Sequence, residues 1–421
     1  MQKEIMYNRS NAKSNFGFRR NSSSGSSRNR FGPKRFNSNR SNNGGSRPSR
    51  RPRGENIDVS KYIQRSVPLN SGQNYQAGNT FLDFGFCPEL QTNLDKRNYS
   101  TPTAIQDQSI KFIMRGRDLV GLADTGSGKT AAFLLPLIEK VYKKKYEKVL
   151  IIAPTRELAI QIDNEFRAFA ANMQLYSTVC VGGMPIGRQI FNLKRNPNFV
   201  IGTPGRLKDL SDRNLIKFNN FQNIVLDEVD RMLDMGFVNE ITNILNALPV
   251  KHQALFFSAT LPIKIKTLIK QFLTDPVAVE VKTGEVAANI LQDIVRVRDK
   301  SEKFSKLQDL LNQSELTKVL IFTETKWEVE KLAVSLTENG YKAQSIHGNK
   351  RQSQREKSLS AFRNDQCKIL VATDVAARGL DIGDISHVIN YTVPQTYNDY
   401  IHRIGRTGRG SKSGQALTFV E

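Results

Sequence analysis

From about residue 78 onward, short apolar runs rich in β-branched residues alternate with longer stretches whose apolar positions recur at helical spacing. The runs are Asp118-Leu-Val-Gly-Leu122, Val149-Leu-Ile-Ile152, Thr178-Val-Cys-Val181, Phe199-Val-Ile201, Ile224-Val-Leu226 and Ala254-Leu-Phe-Phe257. Runs this short and this uniformly apolar fit strands buried on both faces, and strands that alternate with helices build a parallel sheet. The alternation restarts near residue 290, with Val319-Leu-Ile-Phe322, Lys368-Ile-Leu-Val371, His387-Val-Ile-Asn390 and Ala416-Leu-Thr-Phe419. The expected fold is α/β, with two tandem parallel-sheet domains. Their join falls in the polar, glycine-containing stretch Lys282-Thr-Gly-Glu285, giving domains at 78–284 and 285–421 with a linker at 55–77.

Residues 1–54 break this pattern. They are Asn, Ser, Arg and Gly with a few Phe, too poor in apolar side chains to offset ordering entropy, so they are expected to be disordered. They hold fourteen Lys/Arg and a single acid, Glu4, and so carry +13 of the chain's formal +22. An excess of that size argues for a polyanionic partner. Phe and Arg are interleaved, as in Asn15-Phe-Gly-Phe-Arg-Arg20 and Asn29-Arg-Phe-Gly-Pro-Lys-Arg-Phe36, a mixture that suits single-stranded bases and phosphates. A solubilising tail and an organellar transit peptide are the alternatives, although no amphipathic apolar stripe is visible.

Composition excludes several classes. The three cysteines, Cys87, Cys180 and Cys367, show no C-x-x-C spacing, which argues against a disulfide scaffold or zinc knuckle and for a reducing compartment, the cytoplasm. The four histidines are scattered. No apolar run approaches the ~20 residues needed to span a bilayer.

The candidate chemistry sits at strand ends. The run at 118–122 leads into Ala123-Asp-Thr-Gly-Ser-Gly-Lys-Thr130, a P-loop pattern with Ala123 at its first glycine position. Asp124, Thr125, Gly126, Ser127 and Gly128 form the turn whose backbone N–H groups would face phosphate oxygens at a helix N-terminus. Lys129 is expected to reach the β/γ-phosphates of ATP and Thr130 to ligate Mg²⁺. Ile224-Val-Leu226 runs into Asp227-Glu-Val-Asp230, where Asp227 suits Mg²⁺ and Glu228 suits orienting or deprotonating the attacking water. The second domain has no such lysine, but it carries His402-Arg-Ile-Gly-Arg-Thr-Gly-Arg409, whose arginines fit stabilising charge on a transferring γ-phosphoryl. One domain holding ATP and another bringing arginines implies a clamp that closes on ATP and opens after hydrolysis.

These motifs, in this order, resemble the DEAD-box RNA helicases of the second helicase superfamily over about residues 78–421. Residues 123–130 look like motif I, Pro154-Thr-Arg-Glu-Leu158 like Ia, Gly182-Gly183 like the GG element and Thr203-Pro-Gly-Arg206 like Ib. Asp227-Glu-Val-Asp230 stands where motif II does, and Ser258-Ala-Thr260 resembles III. Leu320-Ile-Phe-Thr323 resembles IV, Ala372 to Ile382 V, and residues 402–409 VI. Phe81, seventeen residues before Asn98, and the run Tyr99-Ser-Thr-Pro-Thr-Ala-Ile-Gln106 resemble the Q motif. The sequence departs from the family at Asn98, where glycine is usual, and at Val229, where the family has alanine. Asn tolerates positive φ better than most residues, so the turn at 98 is expected to survive.

The resemblance implies two RecA-like domains and an ATP-dependent RNA helicase that grips RNA by its backbone, without sequence specificity, and opens short duplexes or remodels RNA–protein complexes. It implies that Gln106 reads adenine, that Tyr99 and Phe81 line that site, and that Gly379, Asp381, Arg406 and Arg409 complete the nucleotide site from the second domain. Lys129, Asp227, Glu228, Arg406 and Arg409 are then the catalytic set. RNA contacts carry over to Pro154, Thr155, Arg156, Gly182, Gly183, Thr203, Gly205 and Arg206 in the first domain. In the second they carry over to Thr323, His347, Gly348, Arg355, Thr373 and Gly379. Asp230, Ser258, Thr260 and His402 correspond to the elements that couple hydrolysis to strand separation. The implied partners are RNA and ribonucleoprotein components, and the implied state is monomeric. A DNA helicase or translocase shares the two-domain plan, but the Q motif and the Ala123 form of the P-loop disfavour it. A non-enzymatic RNA-binding scaffold is expected to have lost Lys129, Glu228 or the motif VI arginines, all of which are present.

Overall fold

The computed structural model describes residues 58–63, 75–124, 126–281, 290–377, 384–408 and 413–421. The basic arm at 1–54, the join at 282–285 and the site residues Thr125, Gly379, Asp381 and Arg409 lie outside the described residues.

Seven strands form the first sheet: β1 (Leu119–Leu122), β2 (Val149–Ile152), β3 (Ser177–Cys180), β4 (Phe199–Gly202), β5 (Asn223–Asp227), β6 (Gln253–Ser258) and β7 (Val277–Glu280). Their spatial order is β3-β4-β2-β5-β6-β1-β7. Six more form the second: β8 (Ile290–Arg296), β9 (Val319–Phe322), β10 (Ala343–Ile346), β11 (Ile369–Ala372), β12 (His387–Asn390) and β13 (Gly414–Val420), in the order β10-β11-β9-β12-β13-β8. Every strand pair among the described residues is parallel.

Side-chain alternation explains why both faces of each sheet are covered. In β2, Val149 and Ile151 pack into one core with Phe133, Leu137, Ile162 and Phe166. Leu150 and Ile152 enter a second core with Leu207, Ile241 and Leu245. The second sheet repeats the arrangement: Val319 and Ile321 of β9 join Val329 and Leu336, while Leu320 and Phe322 join Leu359 and Phe362. Each such side chain contributes about 1.5–3 kcal/mol of burial before the entropy of ordering it is subtracted. A strand that feeds two cores has no polar face, which is why these runs read as unbroken apolar segments.

Three strands, β7, β8 and β10, have no clear apolar run in the sequence. All three lie at sheet edges, where one flank faces solvent, and Val277–Glu280 and Ile290–Arg296 alternate buried with exposed positions. The linker expected at 55–77 also differs in part, because Val59–Tyr62 forms a turn of 3-10 helix packed on residues of the second sheet's lobe. On the first lobe, Tyr75 Oη donates to Asp107 Oδ2 at 2.6 Å and the Gly78 N–H donates to the same oxygen at 2.8 Å. All three cysteines are free thiols, and burial pushes Cys180 up to about 12 and Cys367 up to about 11. Both therefore stay protonated at neutral pH.

Helix caps gather the loops at the carboxyl ends of the strands. Thr155, just past β2, accepts from the Leu158 N–H at 3.3 Å and starts the helix Arg156–Phe169. Thr325, past β9, accepts from the Glu328 N–H at 3.2 Å, and Glu328 Oε2 accepts in return from the Thr325 N–H at 3.1 Å, closing a capping box. In open parallel sheets this carboxyl edge is where ligands bind.

Candidate functional site

β5, β6 and β1 are neighbours, and the three loops that leave their carboxyl ends hold the candidate nucleotide chemistry. After β1 the chain turns through Gly126 (φ 87°) and Gly128 (φ 96°) into the helix Lys129–Lys143. Gly128 has no substitute here: an added Cβ would lie 2.4 Å from Gln106 Nε2 and 2.9 Å from Thr103 Oγ1, in a left-handed conformation that L side chains avoid. Lys129 is buried and its Nζ donates to the Ala123 carbonyl at 2.7 Å, folding the side chain back over the loop. Asp124, Ser127 and Thr130 are half-buried around it, and Ser127 Oγ donates to the Asp124 carbonyl at 2.8 Å.

Asp227 and Glu228 end β5 inside the protein, 3% and 7% exposed, and differ in their surroundings. Asp227 Oδ1 is buried without a hydrogen-bond partner among the described residues. Burial pushes its carboxyl up to about 7, against the pull of Lys129 and with added repulsion from Glu228. An unpartnered buried carboxylate oxygen beside a P-loop suits a divalent cation, which would supply the missing ligand and the missing charge. Glu228 sits in the left-handed region (φ 54°) at the start of the helix Val229–Asp234. Burial alone would raise its carboxyl, but Arg231, Lys129 and Arg406 together hold it below the ordinary carboxylate range. Arg231 Nη1 donates directly to Glu228 Oε2. Glu228 therefore stays ionised at neutral pH, as an acceptor of a proton from water requires. Val229 is fully buried in the second core of the first lobe, so its extra bulk is absorbed by packing and leaves the carboxylates in place.

Asp230 ties this segment to the loop after β6. Its Oδ2 accepts from the Thr260 N–H and Oγ1, each at 2.9 Å, and from the Ala259 N–H at 3.2 Å. The Asp230 N–H donates to Ser258 Oγ at 3.3 Å. These four bonds fasten the acidic segment to residues 258–260.

The Q-like segment braces the P-loop from the other side. Gln106 is 3% exposed; its Oε1 accepts from the Thr103 N–H at 3.0 Å and its Nε2 donates to the Gly128 carbonyl at 3.1 Å. Thr103 Oγ1 donates to the Ser127 carbonyl at 2.8 Å. One amide hydrogen and one lone pair of Gln106 remain for a ligand. Tyr99 is half-buried between Phe81 (ring centroids 5.7 Å) and Phe169 (5.4 Å), with the Arg97 guanidinium 5.8 Å from its ring centre. Phe81 itself is 2% exposed, so it buttresses Tyr99 from within the core. Asn98 adopts φ 58°, the conformation in which the family has glycine.

A second group of loops leaves β3, β4 and β2, again neighbours in the sheet. Pro154 and Thr155 are buried, and Arg156 lies across the glycine pair after β3. An added Cβ on Gly183 (φ 77°) would meet Arg156 Nη1 at 2.3 Å. After β4 come Thr203, Gly205 and Arg206; Arg206 pairs with Asp209 at 3.5 Å and keeps a buried Nη1 without a partner among the described residues. The other lobe offers the same arrangement on β10-β11-β9. Thr323 Oγ1 after β9 is buried without a partner among the described residues; Thr373 after β11 is buried. After β10, His347 Nε2 pairs with Glu330 at 2.9 Å while its Nδ1 has no partner among the described residues, and Gly348 is exposed beside Lys326. Groups of these types can hold phosphate and ribose oxygens.

The lobes touch directly at Glu157. Arg355 Nη2 pairs with Glu157 Oε2 at 2.9 Å, both side chains buried, and Gln352 Nε2 donates to Glu157 Oε1 at 3.3 Å. Arg355, expected on RNA, is thus engaged across the lobes. Glu157 and Gln352 are site residues that sequence reasoning missed. Arg406 is 4% exposed, its Nε donates to the His402 carbonyl at 3.2 Å, and its charge acts on Glu228 of the other lobe. Arg403 behaves differently: it forks onto Asp374 at 2.6 and 2.8 Å and donates to the Thr392 carbonyl at 2.6 Å, within its own lobe. The arginines spaced by three therefore do not all project into one cleft.

Comparison with known proteins agrees with this geometry. Residues 103–268 match the DEAD/DEAH box helicase family and residues 302–411 match the helicase conserved C-terminal domain. The DEAD-box ATP-dependent RNA helicase CshA of Bacillus subtilis (strain 168) is 42% identical over 342 residues, covering 81% of this chain and 69% of that protein. The ATP-dependent RNA helicase CshA of Listeria monocytogenes is 42% identical over 343 residues, covering 81% of this chain and 66% of that protein. The chain thus spans about two thirds of these relatives' length. The solved structure of S. cerevisiae Dbp5 bound to RNA and ADP BeF3 is similar with a TM-score of 0.73 at 28% identity, covering 81% of this chain and 89% of that one.

Proposed function

Since the chain belongs to the DEAD-box family of ATP-dependent RNA helicases, we propose that it hydrolyses ATP when RNA is bound and uses closure of its two lobes to open short RNA duplexes or remodel RNA–protein complexes. The observation that carries this reading is the meeting of charges at one point. Lys129 and Asp227 of the first lobe, the latter with Oδ1 buried and without a partner among the described residues, share a field with Arg406 of the second, through Glu228.

In this reading the nucleotide phosphates lie on the backbone N–H groups of 126–128 and at the N-terminus of the helix Lys129–Lys143, where the helix dipole favours anions. Lys129 exchanges its bond to the Ala123 carbonyl for the β/γ-phosphates. Thr130 and Asp227 would hold Mg²⁺, which when bound draws negative charge from the phosphate oxygens. Glu228, kept ionised by Arg231, orients the attacking water and takes its proton. Arg406 stabilises charge on the transferring γ-phosphoryl, and Arg409 is assigned the same task. Gln106 and Tyr99 receive the adenine, with Phe81 behind Tyr99. Gly379 and Asp381 are assigned to the second lobe's share of the nucleotide site.

The strand-end groups of β2, β3 and β4 and of β9, β10 and β11 carry the RNA backbone. Closure bends the bound strand, and each lost stacking step costs about 1–2 kcal/mol, so a single closure opens only a few base pairs. We assign residues 78–284 and 285–421 to the two RecA-like domains, residues 1–54 to a basic RNA-binding arm, and a monomer working among ribonucleoprotein components in the cytoplasm. Among the described residues no helix is long and apolar enough to cross a membrane.

Displacement assays test the mechanical half of this reading. Short RNA duplexes of about ten base pairs are expected to be separated in the presence of ATP, and duplexes several times longer are not. Processive separation of long duplexes would contradict local opening. The arm makes a second prediction. Deleting residues 1–54 leaves basal ATPase activity intact and weakens RNA binding. If about five of its fourteen cations engage phosphates, the slope of log K against log salt becomes shallower by about 3–4. An unchanged slope would show that the arm makes no phosphate contacts.

A further inference from the structure

Tyr62 lies ahead of the first lobe in sequence, yet it is buried to 1% exposure among residues of the second. The turn Val59–Tyr62 is capped by Asp58, whose Oδ1 accepts from the Ser60 N–H at 3.0 Å. It presents Tyr62 to a separate apolar cluster made with Ile290 of β8, Ala416 and Val420 of β13, and Tyr400 and Ile404 of the helix Tyr397–Ile404. The Tyr62 and Tyr400 rings meet edge to face, centroids 4.8 Å apart at 66°. Tyr400 is fully buried and its hydroxyl donates to Gln292 Oε1 at 2.8 Å, so one helical turn is held between β8 and Tyr62. That turn is followed at once by Arg403, locked on Asp374, and then by buried Arg406, whose charge acts on Glu228. Burial raises the Tyr62 hydroxyl and the nearby Arg403 charge opposes the rise, so the ring lies within electrostatic reach of the arginine segment. The hydroxyl itself is buried without a hydrogen-bond partner among the described residues. Packing of the ring, and not a polar contact, is what the residue contributes.

We infer that Tyr62 is a positioning residue for ATP hydrolysis: a segment from the N-terminal side of the chain completes the core of the second lobe, fixes the helix Tyr397–Ile404, and so sets Arg406 against the nucleotide site. The inference rests on the ATPase reading above. It gives residues 58–63 a task distinct from that of the basic arm. Without the ring, the cluster around Tyr400 and Ile404 loses its outer wall, and the helix gains freedom where an arginine must be placed to a fraction of an ångström.

The test uses the full chain. At saturating RNA, Tyr62→Ala is expected to lower kcat roughly tenfold with KM for ATP within about twofold, because the P-loop, Gln106 and Tyr99, which carry most of the ground-state nucleotide contacts, belong to the first lobe. Tyr62→Phe is expected to restore wild-type turnover, since the hydroxyl has no partner to lose. Amide hydrogen exchange is expected to quicken in residues 397–406 of Tyr62→Ala and to stay unchanged in the first lobe. Deleting 1–63 is expected to lower kcat about tenfold below the value left by deleting 1–57. If Tyr62→Ala unfolds the second lobe, Tyr62→Leu, which keeps apolar burial but loses the edge contact, decides: reduced kcat in a folded protein supports the inference, and unchanged kcat overturns it. Wild-type kcat and exchange in a folded Tyr62→Ala also overturn it. Absence of RNA-stimulated turnover in the unaltered protein strikes the ATPase reading instead, and the exchange result then still reports whether Tyr62 holds the helix.

Discussion

Lys129→Ala is expected to lower RNA-stimulated ATP turnover by about 10³-fold or more while leaving the fold in place. The lysine's amine donates to the Ala123 carbonyl, so its removal costs the folded protein about 1 kcal/mol, one ordinary hydrogen bond. Its effect on the reaction is far larger. It is the cation of the P-loop, buried at 6% exposure, and it acts where negative charge gathers on the phosphates. The same amine also opposes the rise in the Asp227 carboxyl, so the variant leaves that carboxylate less favoured in its charged, cation-holding form. Steady-state phosphate release and nucleotide binding check this together: both are expected to fall. Full activity in Lys129→Ala would falsify the assignment of the loop.

Glu228→Gln has the second-largest effect, of a different kind. It keeps the volume of the side chain and a donor–acceptor end for Arg231, and it removes only the charge. Hydrolysis is expected to slow by about 10²–10⁴-fold, the usual cost of a lost general base. ATP and RNA binding persist, because neither uses this carboxylate. Opening of the lobes waits on hydrolysis, so the lifetime of the complex with RNA and ATP is expected to lengthen. Single-turnover phosphate release and the RNA dissociation rate measure the two halves separately. Normal hydrolysis would assign the water to another group; slow hydrolysis with unchanged RNA release would break the link between chemistry and opening. Buried Arg231 loses its counter-charge in this variant, and a reduced melting temperature follows from that.

Much of this arrangement is legible in the chain before it folds, for physical reasons that differ from part to part. Central strands such as β2 and β9 feed cores on both faces, so their residues cannot be anything but apolar. Edge strands escape that demand: Ala343–Ile346 holds Gln344 and Ser345, and Val277–Glu280 is exposed at alternate positions, so neither reads as a strand. The P-loop and the Asp227–Asp230 segment are legible because their chemistry is local, packed into a few consecutive residues. Glu157 is not. It lies within the motif Ia run, but its partners Arg355 and Gln352 are about two hundred residues away, and only the folded chain pairs them. Arg403 misleads for the complementary reason. It shares a three-residue spacing with Arg406, but at 2% exposure it serves Asp374 and the loop after β12. Spacing places side chains around a helix; it does not say which of them faces another domain. Tyr62 is the extreme case, an aromatic in a polar stretch whose core belongs to the second sheet's lobe.

One measurement bears on the whole account: inorganic phosphate released from ATP in magnesium buffer, with single-stranded RNA, with DNA of the same sequence, and with neither. Two lobes that must close around a ribose-bearing backbone to bring Arg406 to the nucleotide predict release that rises many-fold with RNA and little with DNA. Release that is equal in all three conditions, or absent with RNA, would contradict it.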